Sequence, residues 1–176
     1  MRSAPSLAAA ALAAAFLLTA CSDDGSGGDT DSGKGGTTAC KIDEVAVEVG
    51  PAAEAPAAGD TGSVPVTITN GATKCTLDGL PAVEIQADGT SAAVPADPAA
   101  KAQKLTLAKD QAISFTITYV RGESGDAKSL AAKTAKFSLP GSTATHSFPW
   151  SYGDVALKGG AGEPDATVSG FQQVGD

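Results

Sequence analysis

The sequence predicts an all-β fold, an antiparallel immunoglobulin-like sandwich of about seven to nine short strands. Three features carry that expectation. From Cys40 onward apolar residues recur at every second position, the period of a strand with one buried face. Turn-forming pairs, Asn70-Gly71, Asp78-Gly79, Asp88-Gly89 and Pro140-Gly141, punctuate these runs with positive or fixed φ. Helix-period stretches are scarce, whereas a parallel α/β fold would need a helix between successive strands.

The strands follow in order. Val45, Val47 and Val49 alternate with Glu44, Ala46 and Glu48, and Val64, Val66 and Ile68 alternate with Pro65, Thr67 and Thr69. Pro65 cannot donate to a ladder, which places its strand at an edge or near its own start. Val83 with Ile85, Leu105 with Leu107, and then Ile113, Phe115, Ile117 and Tyr119 continue the rule, the last against Ser114, Thr116 and Thr118. Shorter candidates run from Ala135 to Leu139, Thr145 to Trp150, Asp154 to Leu157 and Ala166 to Phe171. A helical turn or two fits Asp126 to Lys133, with Asp126 as cap and Leu130 packed inward. A closed barrel is compatible with the same strands. The Cys-Trp-Cys spacing of immunoglobulin domains is missing, since Trp150 follows both Cys40 and Cys75.

Residues 1–20 have the make-up of an export signal, with Arg2 as the charged end and an apolar stretch from Leu7 to Leu18. That stretch is shorter than the roughly 20 apolar residues of a spanning helix. Its ending, Leu18-Thr19-Ala20-Cys21, resembles the lipobox of bacterial prolipoproteins. The resemblance implies cleavage before Cys21, diacylglycerol on its sulfur with palmitate as a fatty chain, and a lipid-anchored protein on the extracytoplasmic face of the cell membrane. Two or more buried chains hold a protein on a bilayer stably, where one binds only marginally.

Residues 21–39 then form a lipid-anchored Gly/Ser/Asp-rich flexible linker ahead of a single β-sandwich domain at residues 40–176. A Gly-rich coil of this length spans roughly 25 Å. Within it, Gly28 to Lys34 spells the start of a phosphate-binding loop, but Gly35 replaces the Ser/Thr that would hold a metal and no strand precedes it. Asp29-Thr30-Asp31 begins like a calcium loop, yet Cys40 stands where the chelating Glu belongs.

Cysteine arithmetic follows from the anchor. With Cys21 assigned to lipid, Cys40 and Cys75 are an even pair in an exported chain and are expected to bridge. Two cysteines with a single histidine, His146, and no methionine after Met1 do not fill a zinc or copper site. No metal and no cofactor are expected. The net charge of −8, which becomes −9 once Arg2 leaves with residues 1–20, offers no basic footprint for nucleic acid.

Catalytic residues are not expected either. His146 lies between Thr145 and Ser147 without a G-x-S-x-G signature, and acidic residues such as Asp43, Glu44, Glu84 and Asp154 fall on strand positions that normally make the wet face. The chain is therefore expected not to be an enzyme, with a hydrolase as the minor reading. The stretch "HSFPWSY" is richer: His146, Phe148, Trp150 and Tyr152 form a candidate binding patch, with the three aromatic rings on one face by alternation. Core packing is the competing reading, because a domain this poor in aromatics needs them inside. Exposed, the rings would stack on an envelope polysaccharide or anchor an exported protein; the alternative is a structural or accessory envelope domain with no small-molecule ligand.

Cys40, the segment "TITNGATKCTLDGLPAVEIQADG" from Thr67 to Gly89, and "LTLAKDQAISFTITY" from Leu105 to Tyr119 resemble a family of actinobacterial secreted proteins and lipoproteins of unknown function. The pattern residues are Cys40, Asn70, Cys75, Leu77, Gly79, Pro81, Leu105 and Leu107, and the resemblance spans roughly residues 40 to 120. Beyond Val120 a further cysteine often seen in such chains is missing. What the resemblance implies is a small β-sandwich without an established activity.

Intact-mass measurement of the protein recovered from cells should find a chain beginning at a lipid-modified Cys21, and Cys21→Ser should move it out of the membrane fraction. A native chain with an unmodified Cys21 would contradict the anchor.

Overall fold

A computed structural model describes residues 38–159 and 162–174. The expected signal sequence, Cys21 and the part of the expected linker through residue 37 lie outside the described residues. Fifteen strands occupy the described residues: β1 Thr38–Ala39, β2 Val45–Val49, β3 Thr61–Asn70, β4 Cys75–Gly79, β5 Ala82–Ala87, β6 Thr90–Val94, β7 Gln103–Leu107, β8 Ala112–Val120, β9 Ser129–Leu130, β10 Thr134–Ser138, β11 Thr145–Pro149, β12 Val155–Lys158, β13 Glu163–Pro164, β14 Ala166–Val168 and β15 Gln172–Gln173. The fold is all-β, with one 3₁₀ turn at Ile42–Glu44 and no α-helix among the described residues.

Two larger sheets carry the molecule. One has the order β14-β8-β3-β2, with β15 also on β8, and the other has the order β11-β10-β5-β6. Smaller sheets, β1-β4-β7 and β13-β12-β9, flank them, and none closes into a barrel. Pairing between the strands is antiparallel except between β1 and β4, where Thr38 stands opposite Cys75, and an isolated parallel bridge joins Ala96 to Val168 of β14.

Alternation decides what is buried. On β3, Val64, Val66 and Ile68 are fully enclosed, and on β8 so are Ile113, Phe115, Ile117 and Tyr119. Phe115 meets Phe137 of β10 edge to face at 5.2 Å and Phe171 at 5.9 Å, which brings the inner faces of the two larger sheets together. Such pairs add about 0.5–1.5 kcal/mol beyond the area they bury. Tyr119 lies over Gly62, where a Cβ would come within 2.5 Å of its ring; only hydrogen fits there.

Several expectations change. Asp126 to Lys133 is not helical: the Asp126 carboxylate accepts the Lys128 N–H at 2.7 Å, an Asx turn that diverts the backbone directly into β9. Leu130 packs inward all the same. Pro65 sits in a central strand, paired with Thr116 of β8. Its carbonyl accepts from Gly50, so its missing N–H also faces the β2 side, just where β2 has ended. Asp78-Gly79 closes no hairpin. It is the end of β4, and Gly79 at φ 135 starts the step through Leu80-Pro81 into β5 of another sheet. The strand expected to reach Phe171 stops at Val168. Cys40 and Cys75 are bridged, with their Cα atoms 4.9 Å apart. On the chain-entropy account, closing a loop of 35 residues stabilises by about 4 kcal/mol.

Asn70 is the one buried polar side chain among the described residues, at 1% exposure. It was expected to open a positive-φ turn, yet neither it nor Gly71 takes positive φ. Its side chain shapes the loop instead. Nδ2 donates to the carbonyls of Thr73, Leu107 and Ala108 at 2.8, 3.2 and 3.1 Å, while Oδ1 accepts the Ala72 N–H at 3.1 Å. One amide thereby ties the loop leaving β3 to the turn between β7 and β8. That turn holds Asp110 at φ 64, and the Asp110 N–H donates to the Asn70 carbonyl at 2.7 Å.

Asn70→Ala should cost about 1–3 kcal/mol of unfolding free energy, and Asn70→Asp should cost more, since it turns lone pairs toward carbonyl oxygens and removes the N–H donors. Denaturant unfolding at neutral pH measures both. Equal stability of Asn70→Asp and the native chain would contradict this role.

Candidate binding surface

The β11-β10-β5-β6 sheet has two chemically different faces because its registers align like parity. Lys136 stands opposite Glu84 on one side and Ser147 on the other, while Phe137 stands opposite Val83 and His146. The inner face is thus Val83, Ile85, Val94, Ala135, Phe137 and Phe148, all buried. The outer face is short and polar, built around Glu84, Gln86, Ser91, Thr134, Lys136 and Ser147.

At its centre the Ser91 hydroxyl donates to Glu84 Oε2 at 2.5 Å and Lys136 Nζ approaches the same oxygen at 2.9 Å. The Ser91 hydrogen bond and then Lys136 hold the Glu84 carboxyl below the usual carboxylate range. A partly exposed surface pair of this kind organises charge and contributes little stability. Where the β5–β6 hairpin turns at Asp88-Gly89, a cleft of about 450 Å³ opens between Gln86, Asp88, Thr90, Ser91, Lys133 and Thr134. A second cleft of about 270 Å³ lies beside Arg121, whose Nη1 donates to the Ala55 and Pro56 carbonyls at 2.8 and 3.2 Å.

The aromatic stretch singled out in the sequence is placed differently. Phe148 and Trp150 are each 6% exposed and turned into the core. Trp150 packs edge to face on Tyr119 and Tyr152, at 5.1 and 5.0 Å, and its indole N–H donates to the Gly153 carbonyl at 2.8 Å. Tyr152 is half-buried. Desolvation, with Glu54 nearby, raises its phenol above the ordinary value. His146, also half-buried, lies 5.6 Å from the Phe137 ring, and no hydroxyl or carboxylate hydrogen-bonds it among the described residues. The four residues therefore do not form one exposed patch. Cys40 and Cys75 are joined to each other, and no cluster of three or more His, Cys, Asp or Glu suited to a metal occurs among the described residues.

Sequence reasoning missed the Glu84, Ser91 and Lys136 group and the Arg121 cleft. Glu84 was visible as a wet-face carboxylate, but its partners follow only from strand pairing.

Residues 40–172 match the family described as "Domain of unknown function (DUF4232)". The chain belongs to that family. No curated protein and no solved structure matches it. The DUF4232 match runs well past Val120, where the resemblance seen in the sequence faded. Structurally that is reasonable, because β10, β11 and β14 complete the two larger sheets. The second half of the DUF4232 match supplies Phe137, Phe148, Trp150 and Phe171 to the core.

Trp150→Ala should destabilise the domain by about 3–5 kcal/mol, the usual cost of emptying a large buried aromatic site. Thermal or denaturant unfolding reads it. An unchanged midpoint would put the indole outside the core.

Proposed function

We propose that the chain is a lipid-anchored, extracytoplasmic binding module with an immunoglobulin-like sandwich fold, acting on a cell-envelope component or another exported protein and carrying no catalytic centre. The sandwich assignment is supported by topology. β2, β3 and β8 share one sheet, β5, β10 and β11 share the other, and the chain passes back and forth between them as in a Greek key. The anchor rests on the Leu18-Thr19-Ala20-Cys21 ending of the apolar run, and an exported setting agrees with the Cys40–Cys75 bridge.

The observation that carries the binding reading is the division of the β11-β10-β5-β6 sheet. Its large rings point inward, which leaves an outer face of hydroxyl, amide and charged groups with the Asp88-Gly89 cleft at one end. The hydroxyl side chains among them, Ser91, Thr134 and Ser147, lose little conformational entropy on meeting a polar partner. A hydroxyl-rich polymer or the polar surface of a protein suits that chemistry better than an apolar small molecule does.

The domain from Cys40 to Asp176 should capture a component from solubilised envelope. Thr145→Arg with Ser147→Arg, both on exposed positions of β11, should abolish capture at an unchanged melting temperature. Capture that survives these substitutions would move the binding surface elsewhere, and the absence of any captured component would favour a structural, accessory domain.

A further inference from the structure

The edges of the sheets differ in how they are protected. Beyond β14, the chain itself covers the edge: Val168 donates to the Pro95 carbonyl at 3.0 Å and accepts from Asp97 at 2.8 Å. On β11, the Trp150 N–H donates to the Lys133 carbonyl, which sets the parity. His146 and Phe148 also bond β10, while Thr145, Ser147 and Pro149 turn their backbone groups outward, and Pro149 offers no N–H there. β7 carries an exposed Lys104. Proline, lysine and covering segments are the devices by which native edges avoid pairing.

Among the described residues, β2 has none of them. Gly71 donates to the Glu44 carbonyl at 3.0 Å and Gly50 to the Pro65 carbonyl at 2.9 Å. In the register that pairs Ala46 with Thr69 and Glu48 with Thr67, these bonds fix which residues face β3. Ala46 and Glu48 do. Val45, Val47 and Val49 direct their N–H and C=O groups away from the sheet, where no described residue meets them, and their side chains lie half-buried against the core.

We propose that this edge pairs antiparallel with the β2 of a second copy, about a two-fold axis through Val47. The strand is self-complementary in that register. Val47 meets Val47 of the other copy, Val45 meets Val49, and Glu48 meets Ala46. Extending the register sets Glu44 against Gly50 and Asp43 against Pro51, so no two acidic side chains stand directly opposite, the arrangement that would otherwise destabilise a pair. The valine, not the alanine and glutamate, backbones form the new bonds, and each copy's half-exposed valine row continues the other's inner face. An isologous contact of this kind closes at two copies. Because each chain carries a net charge of −8, pairing tightens as salt screens the repulsion.

Ala46 and Glu48 would form a non-hydrogen-bonded cross-strand pair, with Cα atoms about 4.5 Å apart, within disulfide reach. Full-length chains bearing Ala46→Cys and Glu48→Cys, with distinct tags and co-expressed in cells, should give a disulfide-linked heterodimer on a non-reducing gel, whereas either variant expressed alone should not. Val47→Pro added to both should abolish the link while leaving the β3 ladder intact, because the Val47 N–H is not used there. Absence of the mixed dimer with both variants folded, or equal linkage in the single-variant cells, would overturn the proposal.

Discussion

The scarcity of large side chains constrains everything else in this domain. Aromatic residues make up 5% of the chain, with five Phe, two Tyr and one Trp. Phe115, Tyr119, Phe137, Phe148, Trp150 and Phe171 are all buried. Two sheets about 10 Å apart need bulk between them, and alanine and valine alone do not fill that depth. The rings are consequently drawn inward wherever a strand offers an inner position, and what remains for the outside is Ser, Thr, Ala, Glu and Lys. A polar outer face is thus the complement of the core: the same alternation that sends Phe137 in sends Lys136 out.

The core needs its corners held. Tyr119 is the clearest example, for its ring lies on Gly62 and against Trp150 while its hydroxyl donates to the Tyr152 carbonyl at 2.9 Å and accepts the Ala55 N–H at 3.3 Å. A single phenol thereby joins β8, the segment before β3 and the loop after Trp150. At the other end the Cys40–Cys75 bridge fastens the start of the domain to β4, and the Asn70 amide fastens the neighbouring loops to one another. Buried hydrogen bonds of this sort specify geometry as well as contributing energy, since breaking one strands its partner away from water.

Much of this was legible in the sequence. Val64, Val66 and Ile68, or Ile113 through Tyr119, carry the period of two without interruption and became the long central pair β3 and β8. The cysteine pairing followed from parity of number. Other features depend on contacts between distant segments and leave no local trace. β4 reads "CTLDG", whose Asp-Gly looks like a turn, yet pairing with β7 carries the strand through both residues. β9 and β13 are two residues each and exist only because β12 lies beside them. Pro65 could not be placed without knowing that β2 ends at the residue before Gly50. The outer face was unreadable for the same reason: Ser91, Glu84 and Lys136 come from three strands, and a group of that kind appears only once register is known.

The chain's single tryptophan makes the central claim directly measurable. If the aromatic residues are spent on the core and the outer face is left polar, acrylamide should quench Trp150 fluorescence weakly in the folded protein and strongly once it is unfolded in denaturant. Quenching of the folded protein as efficient as that of the unfolded chain would place the indole in solvent and contradict the account.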